Sequence, residues 1–105
     1  MKINVGLIGY GYWGPNLLRN FINTDNCEVI AVSDLSKDRL NSISKSYNDI
    51  DLYTNPDEII NNIKVDCIVI ATPVFTHYNL AKKALNKGKH VLIEKPMTST
   101  SNEAL

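Results

Sequence analysis

Six residues near the start of the chain, Gly9-Tyr10-Gly11-Tyr12-Trp13-Gly14, set three glycines in a GxGxxG spacing. In that spacing the first glycine permits a tight turn, the second lets a pyrophosphate approach the backbone, and the third lets helix and strand pack closely. A phosphate held there meets backbone N–H groups at the positive end of a helix. The spacing alone is common; its context gives it weight, because Gly9 follows an expected strand and Gly14 opens an expected helix. Asp34 is the second chemical feature. It lies 34 − 14 = 20 residues beyond the last glycine, at the end of the second expected strand, where a carboxylate accepts hydrogen bonds from the adenosine ribose hydroxyls. The same charge repels a 2′-phosphate, so the expected cofactor is NAD in preference to NADP. Lys37 and Arg39 lie close enough in sequence to soften that repulsion. Leu35, next to the acid, joins the expected cofactor contacts. Tyr10, Tyr12 and Trp13 fill the variable positions of the turn, with side chains expected toward the cofactor or the cleft mouth, where an aromatic ring can stack on nicotinamide or substrate; Trp13 packing against sequence beyond residue 105 is the alternative.

These residues need a scaffold that brings strand ends together, and the apolar pattern supplies one. Short buried runs alternate with helical spacing, the signature of a parallel sheet covered by helices. The first strand is expected over Lys2 to Ile8, and the next helix carries Pro15 in its first turn and Leu17, Leu18, Phe21 and Ile22. A second strand runs Glu28 to Ser33, followed by a helix that Ser36 can cap, with Leu40, Ile43 and Tyr47 inward. A short third strand is expected around Asp51 to Tyr53. Asn55 then reads as an N-cap, Pro56 as the first helical residue and Glu58 as its capping-box partner, in a helix burying Ile59, Ile60 and Ile63. The fourth strand spans Val65 to Thr72 and ends at Pro73. Thr76 is the expected cap of a helix bearing Leu80, Ala81, Ala84 and Leu85, closed by Gly88 in a left-handed conformation. His90 to Ile93 forms strand five, an apolar edge of the kind proteins normally cover. Thr100 and Glu103 read as a capping box opening a further helix, which predicts a longer protein or a partner over that edge. The expected fold class is therefore α/β, a doubly wound parallel sheet of about five strands in one domain over residues 1–105.

The 105 residues are 44% hydrophobic, enough for a core without disulfides or a metal, and no metal site is expected. Eleven basic against eleven acidic residues give zero formal charge, which argues against nucleic acid as a partner. The apolar runs Cys67 to Ala71 and Val91 to Ile93 fall far short of the roughly 20 residues that span a bilayer, so membrane insertion is not expected. No secretory signal is expected, because Met1-Lys2-Ile3-Asn4-Val5-Gly6 runs straight into a glycine-punctuated strand. Cys27 and Cys67, forty residues apart, read as reduced packing residues of a cytoplasmic protein.

With Gly9 to Gly14, Ala71-Thr72-Pro73, Thr76-His77, Gly88-Lys89-His90-Val91 and Glu94-Lys95-Pro96 in order, the chain resembles the Gfo/Idh/MocA oxidoreductase family over essentially its whole length. Glu-Lys-Pro preceded by Gly-Lys-His-Val is the specific part. Trp13-Gly14-Pro15-Asn16 further resembles a branch acting on sugar nucleotides, including dehydrogenases that oxidise the 3-hydroxyl of UDP-linked amino sugars. The resemblance implies a Rossmann domain, here truncated before its sixth strand, in a two-domain enzyme moving a hydride between C4 of nicotinamide and a carbinol carbon of a sugar or sugar nucleotide. It assigns Thr72 and Pro73 to the loop beneath the cofactor's ribose and pyrophosphate, and His77 to the helix start nearby. Glu94 would hydrogen-bond the nicotinamide ribose, and Lys95 would contact that ribose and the reacting hydroxyl as the catalytic residue. An ammonium near NAD⁺ and partly desolvated has its charged form disfavoured, which suits acid–base work. Pro96 would aim Lys95 through a fixed, cis bond. The resemblance also implies a substrate domain and a homo-oligomer in the full-length protein, and a chain catalytically silent on its own. The competing reading is a non-catalytic NAD-sensing module, which has no need of Lys95; an S-adenosylmethionine methyltransferase would share the glycine turn but leaves Glu94-Lys95-Pro96 without a role.

Overall fold

The computed structural model describes residues 2–11, 14–72 and 74–93, with residues 74 and 75 described by backbone alone. Along the chain run β1 (Ile3–Ile8), α1 (Gly14–Ile22), β2 (Cys27–Ser33), α2 (Lys37–Ser46), β3 (Asp51–Tyr53), α3 (Asp57–Ile60), β4 (Cys67–Ile70), α4 (Val74–Asn86) and β5 (His90–Ile93). The strands form one sheet in the order β3-β2-β1-β4-β5, and every neighbouring pair is parallel. Strand order reverses at β1, between β2 and β4, and such a switch point opens a crevice above the carboxyl ends of the strands. The fold is Rossmann-like and doubly wound, as the alternation predicts.

Each face of the sheet buries its own helices. Val5 and Leu7 of β1, Val29 and Val32 of β2 and Val69 of β4 pack with Leu18 of α1 and Leu40 and Ile43 of α2. Ile8, Ala31, Ile68 and Ile70 point the other way, against Ile59 and Ile60 of α3 and Leu80 and Ala84 of α4. Strict alternation would not put both Val29 and Val32 on one face. A bulge does so: residues of β1 up to Val5 pair 24 ahead (27 − 3), and from Gly6 they pair 25 ahead (31 − 6). The extra residue, Ile30, reverses the parity of β2.

Several boundaries differ from the sequence expectation. The cap falls one residue later than expected: Pro56 holds the N-cap position of α3 and Asp57 is its first residue, with Asn55 Oδ1 accepting the Asp57 N–H at 2.9 Å from just outside; α3 has only four residues and leaves Ile63 93% exposed. The helix ends because the chain turns at Asn62, whose Oδ1 accepts the Lys64 N–H at 2.9 Å. β4 is four residues long; Val65 precedes it, buried, and Ala71 and Thr72 follow it. α4 begins at Val74, so Thr76 lies inside its first turn instead of capping it, and Leu85 faces solvent. Gly88, with φ +76°, closes α4: its N–H reaches the Leu85 carbonyl while the Lys89 N–H reaches that of Ala84, a Schellman arrangement. Ser36 caps α2 as expected, accepting the Arg39 N–H. Cys27 and Cys67 are both free and half-buried against the α1/α2 core, and burial pushes the Cys67 thiol up. Leu92 and Ile93 of the edge strand β5 are exposed. Among the described residues no helix is long and apolar enough to cross a membrane.

Candidate functional site

The carboxyl ends of β1, β2 and β4 converge at the switch point, and the chain leaves them through Gly9, Asp34 and Thr72 respectively. Gly9 has φ +97°, a conformation that L side chains rarely adopt. A Cβ there would lie 2.9 Å from the Ala71 carbonyl carbon and oxygen and from Thr72 Cγ2, so the turn after β1 is seated directly on the exit of β4. The Gly9 N–H donates to the Ser33 carbonyl at 2.8 Å, continuing the β1/β2 ladder by one step. Glycine is thus required at Gly9 by both backbone conformation and space.

Asp34 fastens the next residue. Its Oδ2 accepts the Tyr10 N–H at 2.7 Å, its Oδ1 accepts the Ser36 N–H at 2.8 Å, and its own N–H donates to the Tyr53 carbonyl at 3.0 Å. The carboxylate is 8% exposed and ties the glycine turn, the start of α2 and the end of β3 together. Arg39, one turn into α2, places Nη1 3.6 Å from Asp34 Oδ2 with 55% of its side chain exposed. On the other side, that same Nη1 lies 3.5 Å from where a Gly11 Cβ would stand. Leu35 is almost fully exposed beside it.

Two details of the turn depart from the sequence expectation. Tyr10 does not point to the cleft: its ring packs against the α1/α2 core, where burial raises the phenol's pKa above its ordinary value. A Cβ at Gly14 would meet the Tyr10 side chain at 3.0 to 3.2 Å, so the third glycine makes room for that side chain. The Gly14 N–H closes the turn on the Gly11 carbonyl at 3.1 Å.

Across the crevice, the β4 exit is held by α4. His77 Nε2 lies 2.6 Å from the Thr72 carbonyl, which can only accept, so that nitrogen carries the proton. Thr72 Oγ1 and Thr76 Oγ1 are hydrogen-bonded to each other. The structure therefore brings Gly9, Gly11, Gly14, Asp34, Leu35, Thr72 and His77 to one end of the sheet. The expectations at Tyr12, Trp13, Pro73, Glu94, Lys95 and Pro96 fall outside the described residues. Sequence reasoning named Arg39 only as a softening charge; its ion pair with Asp34, five residues back at a helix start, was the available signal. The Tyr10 and Ser36 N–H groups, donors to that same carboxylate, had no signal in residue type.

A dinucleotide suits this geometry. Among the described residues other than Gly11's chain neighbour, only the Arg39 guanidinium lies within 4 Å of where a Gly11 side chain would stand, which sets a cation beside the glycine turn. Residues 3–105 match the family model described as "Oxidoreductase family, NAD-binding Rossmann fold". The chain is 36% identical over 98% of its length to an uncharacterized oxidoreductase, YdgJ, of Escherichia coli, covering 29% of it. It is 29% identical over 96% of its length to the scyllo-inositol 2-dehydrogenase (NADP(+)) IolW of Bacillus subtilis, covering 28% of that protein. Among solved structures, the myo-inositol 2-dehydrogenase of Lactobacillus plantarum superposes with a TM-score of 0.85 at 26% identity, covering 98% of this chain and 31% of that one. The chain thus spans under a third of the relatives it matches. Sheet order, glycine turn and sequence agree, and the chain belongs to the Gfo/Idh/MocA oxidoreductase family, whose NAD-binding Rossmann fold it adopts.

Proposed function

We propose that this chain is the cofactor-binding part of an oxidoreductase that moves a hydride between nicotinamide and a hydroxyl-bearing carbon of a sugar-like ring. The observation that carries the reading is the double fastening of the glycine turn: Gly9 N–H to Ser33, Tyr10 N–H to Asp34. A turn fixed before the ligand arrives binds without ordering cost. In this reading Gly9, Gly11, Tyr12, Trp13 and Gly14 receive the pyrophosphate, and Asp34 and Leu35 face the adenosine. Thr72, Pro73 and His77 form the floor under the ribose, with His77 acting through the Thr72 carbonyl. NAD, when bound, supplies the hydride-accepting carbon. Glu94 holds the nicotinamide ribose, Lys95 orients the reacting hydroxyl and moves its proton, and Pro96 fixes the backbone of Lys95. Asp34 favours NAD over NADP by its charge.

Inositol dehydrogenases among the relatives support a polyhydroxylated ring as substrate. Trp13-Gly14-Pro15-Asn16 favours a sugar nucleotide within that class. A homo-oligomer in the cytoplasm and a further, substrate-binding domain complete the proposal. Calorimetric titration with NAD, NADH, NADP and NADPH under matched salt tests the cofactor reading. Saturable binding with NAD tighter than NADP is expected, and a folded protein that binds none of the four sinks it. In the full-length enzyme Lys95→Ala is expected to abolish turnover while leaving NAD affinity far less changed; equal loss of both would count against a catalytic lysine.

A further inference from the structure

Of the five strands, β5 is the one whose pairing the apolar pattern specifies least. His90-Val91-Leu92-Ile93 carries three apolar residues in succession; Val91 is half-buried against the α3/α4 core, and Leu92 and Ile93 are exposed. A slip of one residue along β4 that brought Leu92 to the place of Val91 would still set an apolar side chain against that core, so burial alone does not choose between the two registers. The neighbouring strand β4 is held far more firmly, because Ile68, Val69 and Ile70 are all fully buried.

What fixes β5 lies at the end of the sheet opposite the glycine turn. Lys89, directly before β5 and buried, sends its Nζ into the loop between α3 and β4, where it donates to the Asn62 and Val65 carbonyls at 2.7 Å each. The same loop is fastened to β1: Asn4 Nδ2 donates to the Lys64 carbonyl and the Asn4 N–H to Asp66 Oδ2, both at 2.9 Å. Lys89 thereby ties β5 to β1, the strand that runs out into the glycine turn, through one short loop. A slip of one residue moves a strand by about 3.3 Å and turns its side chains to the opposite face, which takes Nζ away from both carbonyls. Two charge-assisted hydrogen bonds oppose that slip.

We propose that Lys89 is a positioning residue for the reaction proposed above: by locking β5 in register it sets where the chain leaves the sheet into Glu94-Lys95-Pro96, and so delivers Lys95 to the nicotinamide ribose. The inference rests on the role given to Lys95 in that reading. The glycine turn leaves β1 and Lys95 follows β5, so the relation between the two halves of the site is set by the loop that joins those strands at their far ends. A misplacement of about 1 Å at a reacting group costs about a hundredfold in rate, and a slipped register exceeds that distance.

The test follows Lys95 directly in the full-length protein, by the rate at which acetic anhydride acetylates it with and without NADH, read by mass spectrometry beside NADH affinity from calorimetry. With NADH at about ten times its Kd, an amine shielded only in the complex is slowed by about tenfold, and that is the result expected of wild type. In Lys89→Met, which keeps an apolar stem and loses the donors, protection should fall below about threefold while NADH affinity changes by less than about threefold, because the glycine turn is held separately by Ser33 and Asp34. Lys89→Arg, which restores cationic donors, should recover most of the protection. Lys89→Gln, with its NH₂ on a shorter stem, should lose protection as the methionine variant does, and serves where that variant does not fold. Methyl NMR contacts between the register partners Val69 and Leu92 report the slip itself and should vanish in Lys89→Met. A folded Lys89→Met or Lys89→Gln variant with those contacts intact or with wild-type protection of Lys95 overturns the proposal, as does one that loses protection only in proportion to NADH affinity. A wild-type protein that binds NADH without shielding Lys95 overturns the role of Lys95, and this proposal with it; one that binds no dinucleotide overturns the cofactor reading.

Discussion

Asp34→Asn separates two jobs that one carboxylate performs. The substitution keeps the shape of the side chain and removes one acceptor oxygen and the charge. Of the two short bonds, Tyr10 N–H to Oδ2 and Ser36 N–H to Oδ1, one then faces an NH₂ group and has no acceptor. Losing a hydrogen bond to a charged group costs about 1.5 to 3 kcal/mol, and the surviving bond, no longer charge-assisted, weakens by roughly half. The Arg39 contact adds little, because that side chain is half exposed and the pair is 3.6 Å apart. The sum is about 2 to 4 kcal/mol of fold stability, before any ligand is considered. In urea, at a slope of about 2 kcal/mol per molar for a small domain, this moves the unfolding midpoint down by roughly 1 to 2 M. Dinucleotide affinity should fall alongside, since the Tyr10 N–H anchors the glycine turn proposed to receive the pyrophosphate. A variant that unfolds with the wild-type midpoint yet loses NAD binding would refute the bracing argument and return Asp34 to a ligand-only role.

Gly6→Ala is expected to destabilise by about 1 to 3 kcal/mol, because the added methyl would overlap Ile59 Cγ2 and crowd Val65; Ile59→Ala in the same chain should recover part of the loss, and strictly additive effects would argue against the clash. Lys89→Met should cost about 2 to 4 kcal/mol, measured by urea unfolding, since the buried Nζ donates to the Asn62 and Val65 carbonyls at 2.7 Å each. Burial holds the Lys89 pKa below the ordinary 10.5, so just under pH 10.5 the unfolded chain binds more protons than the folded one; this lysine's contribution to stability therefore rises with pH there, and Lys89→Met should remove that slope. His77→Phe frees the Thr72 carbonyl and should weaken NAD binding by about three- to tenfold, a hydrogen bond's worth; unchanged affinity would confine His77 to the start of α4.

The parts legible in the sequence are those governed by local chemistry. Three glycines between a strand and a helix, an acid at a strand end, Ser36 as a cap and Gly88 as a left-handed stop are all dictated within a few residues, and each stands where residue type predicts. What escaped depends on residues far apart in the chain. Ile63 follows Ile59 and Ile60 at helical spacing, yet the helix stops before it, and the Asn62 and Val65 carbonyls on either side of it are taken by Lys89, over twenty residues on. Tyr10 reads as a cleft aromatic because its neighbours are glycines; its ring turns inward because Gly14 and the α1/α2 core leave it space. Arg39 reads as a solvated helix-start cation until the fold sets it between Asp34 and Gly11.

The bulge at Ile30 shows how one backbone irregularity sets the chemistry of the site. With the register of the first half of β1 continued, Ile8 would lie beside Val32, and each later residue of β2 would sit one step further along the sheet. The Gly9 N–H would then lose the Ser33 carbonyl as its partner, and Asp34 would stand one residue further along, level with Tyr10 instead of Gly9. The inserted residue draws Ser33 back to Ile8 and Asp34 to the level of Gly9, from where its carboxylate takes the N–H of the next residue, Tyr10, at 2.7 Å. It also turns Val32 toward α2 and Ala31 toward α3, so the same irregularity that aims Asp34 keeps both cores filled. Packing on two faces fixes the register, the register fixes the carboxylate, and the carboxylate fixes both the glycine turn and the guanidinium of Arg39. The acid's position is thus a consequence of how β2 is buried, and a change in the packing of either face is a change at the glycine turn.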